Sequence, residues 1–144
     1  MNGLRIKRAY RAARVSDGSR ILVDRVWPRG MTHGRLRLAG WPKDIAPSAD
    51  LRRWFDHDPA KWDDFRAAYF RELDNKHSEV TGILRLLEEG PVTLIYGAKD
   101  EALNNAAALK EYLEVKLSEH GHAASERSGH PECFLRPGAN GGGK

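Results

Sequence analysis

Apolar and polar residues alternate along Leu4-Arg5-Ile6-Lys7-Arg8-Ala9-Tyr10, the period of a strand with one buried face. Ser16-Asp17-Gly18-Ser19 reads as a turn. Ile21-Leu22-Val23 is an unbroken apolar run that continues into Asp24-Arg25-Val26, which predicts a second strand covered on both faces. Its end is expected at Trp27-Pro28-Arg29-Gly30, where proline removes a backbone donor and glycine allows a bend. Residues 31–47 have no period and are expected to form a long loop, a kind of segment that often carries function.

Helical spacing follows. Ser48 is placed to cap a short helix with Leu51, Trp54 and Phe55. Asp58-Pro59 pairs a capping side chain with a proline suited to a first helical position, so a second helix is expected to start there. Trp62, Phe65, Tyr69 and Leu73 form its apolar face. Val80, Ile83, Leu84 and Leu87 mark a third helix that stops at Gly90-Pro91. Val92-Thr93-Leu94-Ile95-Tyr96 is the clearest strand. The turn at Gly97-Ala98-Lys99-Asp100 leads into a last helix with Leu109, Tyr112, Leu113 and Leu117 on one face, expected to end at Gly121. Strands interrupted by a helical crossover predict an α/β layered fold: a short, mostly parallel sheet of about three strands covered by helices. The predicted domain spans residues 1–122. Residues 123–144, rich in Gly, Ser and Pro, are expected to be a flexible tail.

Composition narrows the classes. With 144 residues, 40% hydrophobic and 31% charged, one globular domain is expected. No apolar run approaches a membrane span, and charge follows the first residues too closely for a secretory signal. The single cysteine, Cys133, excludes an internal disulfide framework and suits the cytoplasm. Charge is uneven. Residues 1–40 carry ten Lys/Arg and two acids, whereas residues 41–125 carry eleven and sixteen. A basic first third on a neutral-to-acidic body points to an anionic partner, a small molecule or a nucleic-acid backbone; alternatively the scattered arginines merely solvate the fold, or the protein binds a partner protein without catalysis.

Three clusters could carry chemistry. In the first, Arg25, Trp27 and Arg29 would share one face while the chain stays extended, beside Asp24, at a strand's carboxyl end where α/β folds bind ligands. Guanidinium forks fit phosphate or carboxylate, and an indole can stack on a base. Alternatively Asp24 pairs a neighbouring cation and Trp27 belongs to the core. In the second, Tyr96 through Asn104-Asn105 joins a strand end to a helix start, with Lys99 adding charge. Alternatively Asp100 or Asn104 merely caps the helix. In the third, His57 lies between Asp56 and Asp58 and could move protons, or be a solvated turn residue. The site expected on these grounds has Arg25, Trp27, Arg29, Lys99 and Asn104 holding the ligand, with Asp24, His57 and Tyr96 as proton-transfer groups. No cofactor is expected. His120, His122, His130 and Cys133 match no zinc spacing, so no metal is expected. Gly138 to Lys144 copies the first seven positions of a phosphate loop, but lacks the strand, the helix and the Ser/Thr that such a loop needs.

These residues resemble a known family. The segments Leu22-Val23-Asp24-Arg25-Val26-Trp27-Pro28-Arg29-Gly30 and Thr93-Leu94-Ile95-Tyr96-Gly97-Ala98-Lys99-Asp100 resemble the YeaO-like branch of domain-of-unknown-function family 488. So do Ile45-Ala46-Pro47-Ser48 and Trp54-Phe55. The resemblance covers about residues 4–118 and implies a small bacterial α/β protein. It supplies no settled activity. Other branches carry a cysteine and a Cys-His-Arg run where this chain has Tyr96 and Asn104-Asn105, so the resemblance does not extend to thiol chemistry.

Overall fold

The computed structural model describes residues 3–126. Three parallel strands, β1 (Leu4–Arg8), β2 (Ser19–Leu22) and β3 (Val92–Tyr96), form one sheet in the order β1-β3-β2. Leu4 and Ser19 both pair with Val92, so the two outer strands run level with the central one. All five residues of β3 are buried, as a central parallel strand requires. β1 keeps a single buried residue, Leu4; Ile6 is only half-buried, like Lys7 and Arg8, so the alternation of its sequence is not matched by an alternation in burial.

The segment between β2 and β3 holds four α-helices: α1 (His33–Leu36), α2 (Ala49–Phe55), α3 (Trp62–Leu73) and α4 (His77–Glu89). The last helix, α5 (Asn105–Glu126), follows β3. Phe65, Tyr69 and Leu73 on α3, Val80, Ile83 and Leu84 on α4, and Leu109 and Leu113 on α5 are buried at helical spacing. A separate cluster joins Leu22 and Ile95, neighbours across β2 and β3, to Ala9, Met31 and Leu36, with Trp27, Leu38 and Trp41 packed against it. The chain divides into two compact units, Met1–Leu113, which holds the sheet, and Glu114–Lys144. No helix among the described residues is long and apolar enough to cross a membrane.

A buried charge network underlies the sheet. Asp17 accepts from Lys7 Nζ at 2.8 and 3.0 Å, from Arg20 Nη1 at 2.6 Å and from the Arg14 N–H at 3.0 Å. Burial alone pushes the Asp17 carboxyl up, but these donors more than offset it and hold it at about 2. Gly18 turns the chain with φ 67°, where a Cβ would overlap the carbonyl oxygen of Pro91.

The structure alters the sequence expectations at four places. β2 ends at Leu22: Val23 donates to Ile95 O, and the chain then bends through Asp24, Arg25 and Val26, whose predicted extension is lost. Residues 31–47 are more ordered than a loop. They contain α1, a 3-10 turn at Lys43–Ile45, and a parallel bridge from Gly40 to Ile21. Asp58-Pro59 opens a single 3-10 turn, with Asp58 Oδ1 accepting from Ala60 N–H, and the α-helix proper starts at Trp62. Lastly, α5 passes through Gly121 to Glu126, because one interior glycine costs only about 1 kcal/mol and Ala123, Ala124 and Glu126 suit a helix. From residue 127 the expected tail, with His130 and Cys133, lies outside the described residues.

Candidate functional site

At the carboxyl ends of β2 and β3 lies a cleft of about 380 Å³. It is built around Asp24. As the chain leaves the sheet, the Asp24 carboxylate turns back across the strand ends. Oδ2 accepts from the Gly97 N–H at 2.8 Å, and Oδ1 accepts from Asn105 Nδ2 at 3.0 Å. The same Asn105 amide donates to Val23 O at 3.1 Å, and Trp41 Nε1 donates to Asp24 O at 2.8 Å. Gly97 eases the approach, since a Cβ there would come within 3.3 Å of Asp24 Oδ2, a tight contact that the carboxylate would have to give way to. Burial pushes the Asp24 carboxyl above its ordinary value, opposed by these two donors and by the charge of Arg52.

Two of the guanidinium groups that line the cleft lack full partners. Arg25 Nε is buried with no hydrogen-bond partner, and its Nη1 lies 3.7 Å from Asp44 Oδ1, an exposed carboxylate. The exposed side chain of Arg52, on α2, makes no hydrogen bond or ion pair with any described residue, although its charge acts on Asp24. Arg53 is paired with Asp50. The apolar wall comes from Phe55 and Phe65, stacked with ring centroids 4.3 Å apart, and from Ala46 and Pro47. Ser48 fixes that wall by capping α2 through Leu51 N–H while donating to Glu72 on α3 at 2.6 Å. Asp56 and His57 form the turn after α2 in left-handed backbone and complete the rim.

Of the residues expected at the site, Asp24, Arg25, His57 and Asn104 line this cleft. Asn104 is already occupied: Oδ1 accepts from the Ala107 N–H, capping α5, and Nδ2 donates to Asp100 O. The other four stand elsewhere. The bend at residues 24–26 separates Trp27 from Arg25, and its indole packs in the cluster around Leu22, donates to Met31 O at 2.7 Å and meets Trp41 edge-on. Arg29 and Lys99 are exposed and contribute nothing to the lining, and Tyr96 is buried outside it, its hydroxyl pushed up by that burial. Arg52, Phe55 and Asn105 also line the cleft; Asn105 belonged to the expected strand-to-helix cluster without a site role, Phe55 was expected only as a helix-face residue, and Arg52 was not expected at the site. The three-residue spacing of Arg52 and Phe55 on α2, which puts them on one face, was the available signal. Among the described residues no group of three His, Cys, Asp or Glu is placed to hold a metal ion.

The cleft is assembled from the segments that carry the family resemblance, and comparison with known proteins agrees. A family model described as the inactive DUF488-N3 subclade matches residues 3–135. The uncharacterised protein YeaO of Escherichia coli K12 is 39% identical over 110 residues, covering 76% of this chain and 96% of YeaO. Uncharacterised proteins of Mycobacterium tuberculosis H37Rv and Mycobacterium bovis are each 34% identical over 110 residues, covering 76% of this chain and 92% of theirs. No solved structure matches. With both strand ends and nearly all of the described chain inside the match, the protein belongs to the DUF488 family, in the subclade described as inactive DUF488-N3.

Proposed function

We propose that the cleft binds an anionic small molecule, phosphorylated or nucleotide-like, and holds it without turning it over. The observation that carries this reading is Arg25. A buried guanidinium N–H without a partner costs free energy, and an anion entering the cleft would remove that cost. Arg52 adds a second lining guanidinium whose side chain has no hydrogen-bond or ion-pair partner among the described residues, and the Phe55–Phe65 stack offers an apolar surface for a base or other ring. Binding is favoured over catalysis because the lining offers no serine, threonine, cysteine, lysine or tyrosine nucleophile, and its Asp56 and His57 are exposed turn residues with no side-chain hydrogen bond between them to activate either. Asp24, one of the expected proton-transfer groups, already spends both oxygens on Gly97 and Asn105. The description of the family model as inactive agrees with this. The reducing cytoplasm is the setting we propose, on the single cysteine.

Calorimetric titration with inorganic phosphate, a sugar phosphate and nucleoside monophosphates tests the reading. At least one nucleoside monophosphate should bind, and Arg25→Gln and Arg52→Gln should each weaken it roughly ten- to hundredfold, the loss of one charge-assisted contact. Lys99→Gln, outside the lining, should leave binding unchanged. Equal affinity in wild type and Arg25→Gln, or no binding by any of these anions, would overturn it.

A further inference from the structure

Both ends of one excursion of the chain stand at the cleft, where Val26 and Ala46 are lining residues. Between them, residues 27–45 carry Arg29, Arg35, Arg37 and Lys43, with His33, against a single acid, Asp44, which lies 3.7 Å from Arg25 at the foot of the excursion. We propose that this excursion is a docking surface for a nucleic-acid backbone. It is a site separate from the small-anion cleft and uses none of the cleft-lining side chains.

The excursion is a platform. Met31 and Leu36 are buried, Trp27, Leu38 and Trp41 pack against the same cluster, and Trp27 also meets the ring of His33 at 4.4 Å. Backbone bonds fasten it to β2, with Ala39 N–H donating to Arg20 O at 2.7 Å and Leu22 N–H to Gly40 O at 3.1 Å. On this platform Arg29, Arg35 and Arg37 are exposed, and none makes a side-chain hydrogen bond or ion pair with any described residue. Arg37 even occupies left-handed backbone, φ 50°, a conformation glycine or asparagine adopts more readily. Exposed guanidinium groups without protein partners are free to contact a polyanion, which releases its counterions as they bind.

Charge is the only recognition chemistry on offer, and that selects the partner. The large apolar residues of the excursion face inward, and none of the exposed large hydrophobic residues, Tyr10, Val15, Val26, Trp54 and Val115, lies between 27 and 43. A membrane surface or a protein interface would need apolar side chains to bury. A phosphate backbone needs none, and guanidinium forks match its oxygens. The acidic balance of residues 41–125 would turn the rest of the protein away from a polyanion and orient the encounter.

The test is fluorescence anisotropy with a labelled oligonucleotide of about 20 nucleotides, single-stranded and duplex, across a salt series. With three phosphate contacts, log affinity for the duplex should fall against log salt with a slope of about −3, which is roughly a 40-fold loss between about 50 and 200 mM. The triple variant Arg29→Gln/Arg35→Gln/Arg37→Gly should bind at least tenfold more weakly at low salt with a slope near zero, while Arg25→Gln keeps the wild-type slope. Because this variant could lose stability, wild-type protein is also treated with phenylglyoxal, and the oligonucleotide should shield Arg29, Arg35 and Arg37 in the mass spectrum. The proposal is overturned if wild type binds neither oligonucleotide at low salt, if a folded triple variant keeps the slope, or if those arginines are not shielded. Binding to vesicles of anionic phospholipid without binding to oligonucleotide overturns it in favour of a membrane surface. A failure of the nucleotide titrations would leave these outcomes unaffected.

Discussion

Removing the carboxylate of Asp17 should uncover a buried cation. Asp17 and Arg20 are each 3% exposed, and Arg20 has only two other places to turn. Its Nε donates to Leu36 O at 2.6 Å, and its Nη2 is buried without a partner. Asp17→Ala would leave one of these nitrogens satisfied and the charge uncompensated. Breaking a buried pair in this way costs about 3–5 kcal/mol. Lys7 is part-exposed and can turn to water, so it adds little, and the bond from Thr93 Oγ1 to the Asp17 carbonyl survives. A domain of this size has roughly 5–15 kcal/mol in total, so the loss is a large share of it.

The measurement is urea unfolding followed by the fluorescence of the four tryptophans, with an unchanged m-value as the check that only stability has moved. Asp17→Leu combined with Arg20→Met should recover most of the loss, because it removes both charges. The pH dependence gives a second reading. A carboxyl held at about 2 against its ordinary 3.8 carries about 2 kcal/mol of stability. Since the folded value is the lower one, that stability is present above 3.8 and lost as pH falls through about 2. Wild type should show this acid loss and Asp17→Ala should lack it. A cost below about 1 kcal/mol, or an apolar pair no more stable than the single variant, would refute the account of Arg20 as a cation that depends on Asp17.

Gly18→Ala should cost about 2–4 kcal/mol in the same urea experiment, since it forces a positive φ on alanine and drives a Cβ into the Pro91 carbonyl; a change within about 0.5 kcal/mol would contradict the geometry. Anion binding in the cleft should strengthen as pH falls through the raised pKa of Asp24, because protonation removes a negative charge from beside the ligand. Asp24→Asn should therefore bind anions severalfold more tightly at neutral pH and flatten that pH profile, as read by the same calorimetric titrations.

Local periodicity determined most of the elements. An unbroken apolar run such as Val92 to Tyr96 has to be covered on both faces, and this one became the buried central strand. Phe65, Tyr69 and Leu73 recur at helical spacing and fall on one buried stripe. Ser48 and Asn104 carry short polar side chains at the positions where their helices need caps. These outcomes depend on neighbours a few residues apart, which a sequence displays directly. The cleft depends on separations the sequence hides. Asp24 meets Gly97 and Asn105 across more than 70 residues, and only the parallel pairing of β2 with β3 brings them together. That contact bends the chain after Val23, and the bend decides that Arg25 lines the cleft while Trp27 joins the core. Extended-chain periodicity assumed the strand would continue and so put Arg25, Trp27 and Arg29 on one face. Arg52 entered the site because α2 packs its Phe55 against Phe65 of α3 and carries the arginine with it. Which helix face meets which neighbour is set by packing between distant segments, so composition could show a basic first third while the fold alone decided which arginines line the cleft.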